Sequence, residues 1–335
     1  MTAMPQDPSR RESLLKAKLR ALARSHWGAA IERAREGTLP GGAALATPDA
    51  AWVLGEDDPS RSLGPAIAWA RKAGSARLHI LVPSDAETLA RRAERFSYPI
   101  EVWRIAGTSV ERAGPEPLPV EPAVDPQAEA FRGLLERAGT EVVVEQGMLR
   151  AEVLGLEVAR VVPDETGVHL EVGVGKHDRD AHSELSGQRQ GMDELFEVVR
   201  AVADLRRSGR AGGDGYTLAS ERWLRAVVVK KPELVGARDL TPAPTPVART
   251  DLRRSVPAPA RGTDLEGRPL LVVFAVGLDL DVVSVASDAW AADERDPRLV
   301  ICLPAADAYG VIRELAALHI PPAEVVTVPG DWRAL

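Results

Sequence analysis

Glu157 and Glu171 are the residues whose type and spacing best suit chemistry in this chain. They lie in Leu154–Asp178, LGLEVARVVPDETGVHLEVGVGKHD, which reads as two short strands, Leu156–Val162 and Val168–Val174, joined by a turn at Pro163–Gly167. Residues i and i+2 of a strand share a face. Pairing about that turn is therefore expected to set the two glutamates across from each other on neighbouring strands. Like charges so placed repel, so a cation is expected between them, and a divalent metal, Mg²⁺ or Mn²⁺, is the candidate.

The elements that must position this hairpin fill a middle segment, taken as residues 126–240. Helical spacing of Phe131, Leu134 and Leu135 predicts a helix over Ala128–Ala138. Extended stretches are expected at Glu141–Gln146 and Met148–Val153. Helices follow at Arg179–Leu185, Asp193–Arg207 and Ser220–Val229, the last with an apolar face of Trp223 and Val227. Prolines bound the segment: Pro115, Pro117, Pro119 and Pro122 lie in an expected linker at 115–125, and Pro242, Pro244, Pro246, Pro257 and Pro259 in another at 241–267. Such stretches favour extended spacers.

A helix, then a meander with one acid on its second strand and an acid-x-lysine signature on its third, resembles the PD-(D/E)xK (restriction-endonuclease-like) nuclease superfamily. The resemblance covers roughly residues 128–185. It implies metal-binding roles for Glu157 and Glu171, an auxiliary metal-binding role for Glu136, and Mg²⁺ or Mn²⁺ activating a water against a phosphodiester. Gly173 stands where the signature has lysine, so the resemblance would draw its catalytic ammonium from Lys176, just beyond the strand.

Other local patterns have simpler explanations. The Walker spacing fails around Gly173-Val174-Gly175-Lys176, because Leu170 occupies the first glycine position. His177 and His182 are five apart, which misses the i, i+4 spacing of helical metal ligands. Between Arg200 and Lys231 eight basic residues face three acids, Asp204, Asp214 and Glu221. That surplus is the pattern of a nucleic-acid-facing patch or of a solvated helix side.

On either side of the middle segment strands alternate with helices of about ten residues, a pattern of parallel pairing with crossovers. Strands are predicted at Ala51–Gly55, Leu78–Val82 and Ile100–Ile105, with helices at Arg61–Ala73 and Ala86–Arg95. The pattern returns as strands at Leu270–Val276, Leu299–Leu303 and Val325–Val328, with helices at Val282–Ala292 and Tyr309–Leu318. RLHILVP at Arg77–Pro83 matches RLVICLP at Arg298–Pro304. Asp85, Arg91 and Pro99 each precede Asp307, Arg313 and Pro321 by 222 positions (307 − 85, 313 − 91, 321 − 99). An internal duplication is expected. The fold class is therefore α/β, with Rossmann-like halves at 41–114 and 268–335 flanking a nuclease-like domain, and a basic helix at 1–40 preceding them. That helix, predicted over residues 10–36, is read either as docked by Leu15, Leu19 and Leu22 or as a basic arm for phosphates.

Composition narrows the field. The chain has 335 residues, 45% hydrophobic and 27% charged, with net charge −7, which argues against a surface devoted to nucleic acid. No apolar run suits a membrane span or a signal peptide, and the single cysteine, Cys302, fits a reducing cytoplasm. The expected function is divalent-metal-dependent hydrolysis of DNA or RNA phosphodiesters. The alternative is a non-catalytic binding or scaffold protein with ligand- or partner-binding halves, and oligomeric state is left open.

Overall fold

The computed structural model describes residues 8–165, 167–175, 190–208, 218–247 and 254–335. The chain divides into two compact units. One comprises Met1–Leu118, Asp279–Asp288 and Tyr309–Ala323, and the other Pro119–Leu278, Ala289–Ala308 and Glu324–Leu335.

The first unit begins with helix α1 (Pro8–Trp27) and continues as strands β1 (Arg35–Leu39), β2 (Gly42–Ala46) and β3 (Ala51–Gly55), helix α2 (Leu63–Ala73), β4 (Leu78–Val82), α3 (Ala86–Ala93), β5 (Ile100–Ala106) and β6 (Ser109–Arg112). These strands form one sheet in the order β1-β2-β3-β4-β5-β6. The predicted β3–β4–β5 core pairs in parallel, and both flanks are antiparallel. The expected helix over 10–36 ends early, because Gly28 turns left-handed (φ +66°) and β1 begins at Arg35. Leu15, Leu19, Leu22 and Ala23 bury against Leu45, Trp52 and Leu54, while Lys18 reaches Glu56 at 2.8 Å and Arg20 reaches Glu36 at 2.5 Å. These two cations neutralise acids on β1 and just past β3.

The second unit contains α4 (Pro126–Glu129), α5 (Arg132–Arg137), β7 (Glu141–Glu145), β8 (Met148–Val153), β9 (Leu156–Asp164), β10 (Gly167–Val172), α6 (Gln190–Arg207) and α7 (Ser220–Lys230). The four strands make an antiparallel meander, β10-β9-β8-β7. Gln146-Gly147 and Leu154-Gly155 close two of its hairpins with both residues at positive φ, the geometry whose twist suits two-residue turns. One face is apolar: Leu149, Ala151, Val158 and Val161 pack with Ala128 and Leu135 of the preceding helices and with Leu195 and Val202 of α6. The other face is charged.

The same unit holds β11 (Ala237–Pro242), β12 (Ala258–Asp264), β13 (Pro269–Phe274), β14 (Arg298–Pro304) and β15 (Glu324–Val328), whereas most of α8 (Val282–Ala291) and all of α9 (Gly310–Leu318), which intervene in the chain, are counted in the first unit. Their sheet order is β11-β12-β13-β14-β15, antiparallel for the first two pairs and parallel for the last two. The span 241–267, expected as a linker, contains β12 paired on both sides. Pro259 fits there because its carbonyl accepts from Ala243 N just past the end of β11, so the missing N–H costs no interior rung. Trp223, Leu224, Val227 and Val228 of α7 pack against Leu270, Val272 and Phe274. The two mixed sheets share one order of elements: a helix, an antiparallel pair and then a βαβαβ unit. Among the described residues no helix is long and apolar enough to cross a membrane.

Candidate functional site

The charged face of the meander is built by register. Glu141 on β7 pairs with Glu152 on β8, and Glu152 pairs with Glu157 on β9, so three carboxylates share one row. In the next row Arg150 lies opposite Arg160, which lies opposite Glu171. Glu171 therefore faces Arg160 instead of Glu157. The correction comes from the hairpin register, in which Gly167 pairs with Asp164.

A bulge decides where Glu157 points. Between the pairs Ala151↔Ala159 and Glu152↔Glu157, β9 carries one extra residue, Val158. Strict alternation would set Glu157 beside Ala159 in the apolar core. The extra residue returns it to the charged face and leaves Val158 in the core.

Each of the two acids has an arginine of the sheet as its own partner. Arg150 Nη1 donates to Glu157 at 2.6 Å, and its Nε lies 3.3 Å from Glu145. Arg160 donates to Glu171 at 2.7 Å. From α7, Arg222 donates to both Glu145 and Glu152, and Arg225 Nη2 donates to Glu152 at 2.8 Å. Glu152, Glu157, Arg222 and Arg225 are each at most 3% exposed. Buried charges of like sign in a row persist only when paired, and guanidinium, always protonated and forked, supplies that pairing.

The remaining expected site residues separate. Glu136 is exposed near the end of α5, where its charge acts on Arg132. Lys176, with His177, Asp178, Asp180 and His182, lies outside the described residues. Gly173 has φ +130°, and its N–H donates to Val158 O at 2.8 Å. A side chain there would be strained, so the lysine of the nuclease signature has no place at that position. Among the described residues no three His, Cys, Asp or Glu side chains are grouped to hold a metal ion.

No family model, no curated protein and no solved structure matches this chain. The site's chemistry must come from its own geometry.

The basic segment 200–231 also divides on inspection. Arg206 is buried, stacks over Trp223 at 4.3 Å and donates to Leu218 O at 2.7 Å. Arg222 and Arg225 face inward in the glutamate lattice. Arg200, Arg207 and Lys230 stay exposed, and Arg210 lies outside the described residues. Three of the eight basic residues are thus internal, and Lys231 is half-buried. Sequence reading missed Arg150, Glu145 and Glu152 as members of the cluster. The available signal was the alternating Arg150/Glu152 pair on a strand, matched by Arg222 and Arg225 one helical turn apart.

Proposed function

We propose that this protein is a non-catalytic binding or scaffold protein whose middle domain keeps a nuclease-like helix-and-meander outline. The observation that carries this reading is the pairing of Glu157 with Arg150 and of Glu171 with Arg160. A metal that activates water needs carboxylate lone pairs free to coordinate it. In this domain those carboxylates accept from Arg150 and Arg160 of the same sheet, guanidiniums that stay protonated at neutral pH.

The test uses the full chain. Isothermal titration with Mg²⁺ and Mn²⁺ is expected to show no saturable heat, and mixed DNA and RNA substrates are expected to remain intact with either metal. Cleavage that disappears in Glu157→Ala or Glu171→Ala would overturn the proposal.

A further inference from the structure

Beside the glutamate lattice lies a cavity of about 370 Å³ within the second unit. Its walls come from the end of α5, the β7–β8 strands, α6 and α7. On α6, Phe196, Arg200, Ala203 and Arg207 recur at helical spacing and line it, and Lys230 closes it from the last turn of α7. Arg200, Arg207 and Lys230 are exposed and have no ion-pair partner among the described residues. Three carboxylates, Glu141, Glu152 and Asp204, also line the cavity. Glu152 is neutralised by Arg222 and Arg225, which leaves three cations against Glu141 and Asp204.

Each group in the cavity selects a different part of a ligand. The three cations favour an anion, and two of them are guanidiniums, whose fork matches a phosphate or carboxylate. Phe196, 42% exposed on α6, offers an aromatic surface to a flat ring. Glu141 Oε2 is buried without a hydrogen bond, its nearest cation being Arg225 at 4.0 Å. An unsatisfied buried acceptor is costly, and a ligand N–H or O–H would satisfy it. The volume falls at the small end of ligand pockets, roughly 300–1,000 Å³.

We infer that this cavity binds a nucleoside monophosphate, with the phosphate on Arg200, Arg207 and Lys230, the base near Phe196 and a base or ribose donor on Glu141. The inference rests on the binding-protein reading and names its ligand class.

The experiment is isothermal titration of the full chain with AMP, GMP, CMP and UMP, and with adenosine, orthophosphate and a single-stranded oligonucleotide as controls. At least one monophosphate is expected to bind saturably and more tightly than adenosine or orthophosphate. Arg200→Ala and Arg207→Ala are each expected to weaken it about tenfold, the size of one lost charge-assisted hydrogen bond. Both arginines are exposed, and unchanged circular dichroism and melting would confirm that the variants fold. The inference is overturned if no monophosphate binds, if binding survives unchanged in Arg200→Ala/Arg207→Ala, or if only the oligonucleotide binds. Metal-dependent breakdown of the bound nucleotide, lost in Glu171→Ala, would instead overturn the non-catalytic reading and leave the pocket standing.

Discussion

Glu152 shows why a buried ion lattice is both stable and fragile. Its two oxygens accept from Arg222 and Arg225, and its row neighbours Glu141 and Glu157 repel it unless those donors stay. Removing one partner from a buried pair leaves an uncompensated charge, at about 3–5 kcal/mol. Glu152→Ala is therefore expected to lower stability by roughly that amount in urea unfolding. Combining Glu152→Gln with Arg225→Gln should destabilise by less than the sum of the single changes, as expected for neighbours in one network. Additive effects would show that the pair is not coupled. Cys302 sits at the opposite extreme of reactivity. Burial pushes its thiol up to about 12, and the thiolate is the reactive form. Alkylation by iodoacetamide is expected only after denaturation, and labelling of the native protein at neutral pH would contradict that placement.

Among the elements, the Leu154-Gly155 turn has the tightest requirement. Gly155 has φ +76°, and a Cβ on it would lie 2.3 Å from the backbone of Arg222 and Trp223. The turn both closes the β8–β9 hairpin and lets the start of α7 approach, bringing Arg222 to Glu145 and Glu152. Gly236, at φ +66°, has nothing within 4 Å of its Cβ position and isolates the backbone term. Gly236→Ala is expected to cost about 1 kcal/mol for the left-handed conformation alone. Gly155→Ala should exceed it by roughly 2 kcal/mol or more as the helix is displaced. Equal losses in the two variants would mean that α7 does not need this close approach. The strands themselves were largely legible from alternation. The bulge at Val158 was not, because it is defined only by the register with β8.

At the scale of the whole molecule, buried titratable groups in the first unit set the pH dependence of stability. His79 lies among Trp27, Trp52 and Trp103, accepting from Trp103 Nε1 at 3.2 Å. Burial lowers its pKa, against a smaller upward pull from Glu101. Burial also lowers that of His319. A histidine whose folded pKa is depressed resists protonation in the native state, so its contribution is intact above the unfolded value, roughly 6.5, and shrinks below it. Asp281 acts in the opposite sense. It accepts from Gly64 N at 3.0 Å and from Ser284, lies 4.0 Å from Arg92, and is raised to about 6, chiefly by burial. Between its ordinary value of 3.8 and about 6 the native state binds the extra proton, so stability from this group falls as pH rises. Urea midpoints between pH 4 and 6 should therefore rise more steeply with pH in Asp281→Asn than in wild type, and less steeply in His79→Gln. The reverse ordering would show that these groups do not titrate as their surroundings require.

The amino-acid sequence alone determined the periodicities: the two βαβαβ runs, the 222-residue echo between them, the apolar stripe of α1 and the acidic hairpin. Those features depend on neighbours a few residues apart, where alternation and helical spacing operate. Tertiary structure decided which charge meets which. Glu171 faces Arg160 because of the register after Asp164, Glu157 joins the charged face because of one extra residue in β9, and Arg222 reaches Glu152 across 70 positions. It also decided that Pro259 lies inside a sheet and that Arg206 lies over Trp223. A pair of glutamates in a sequence suggests a cation between them, but the folded chain parts the two and gives each an arginine of its own.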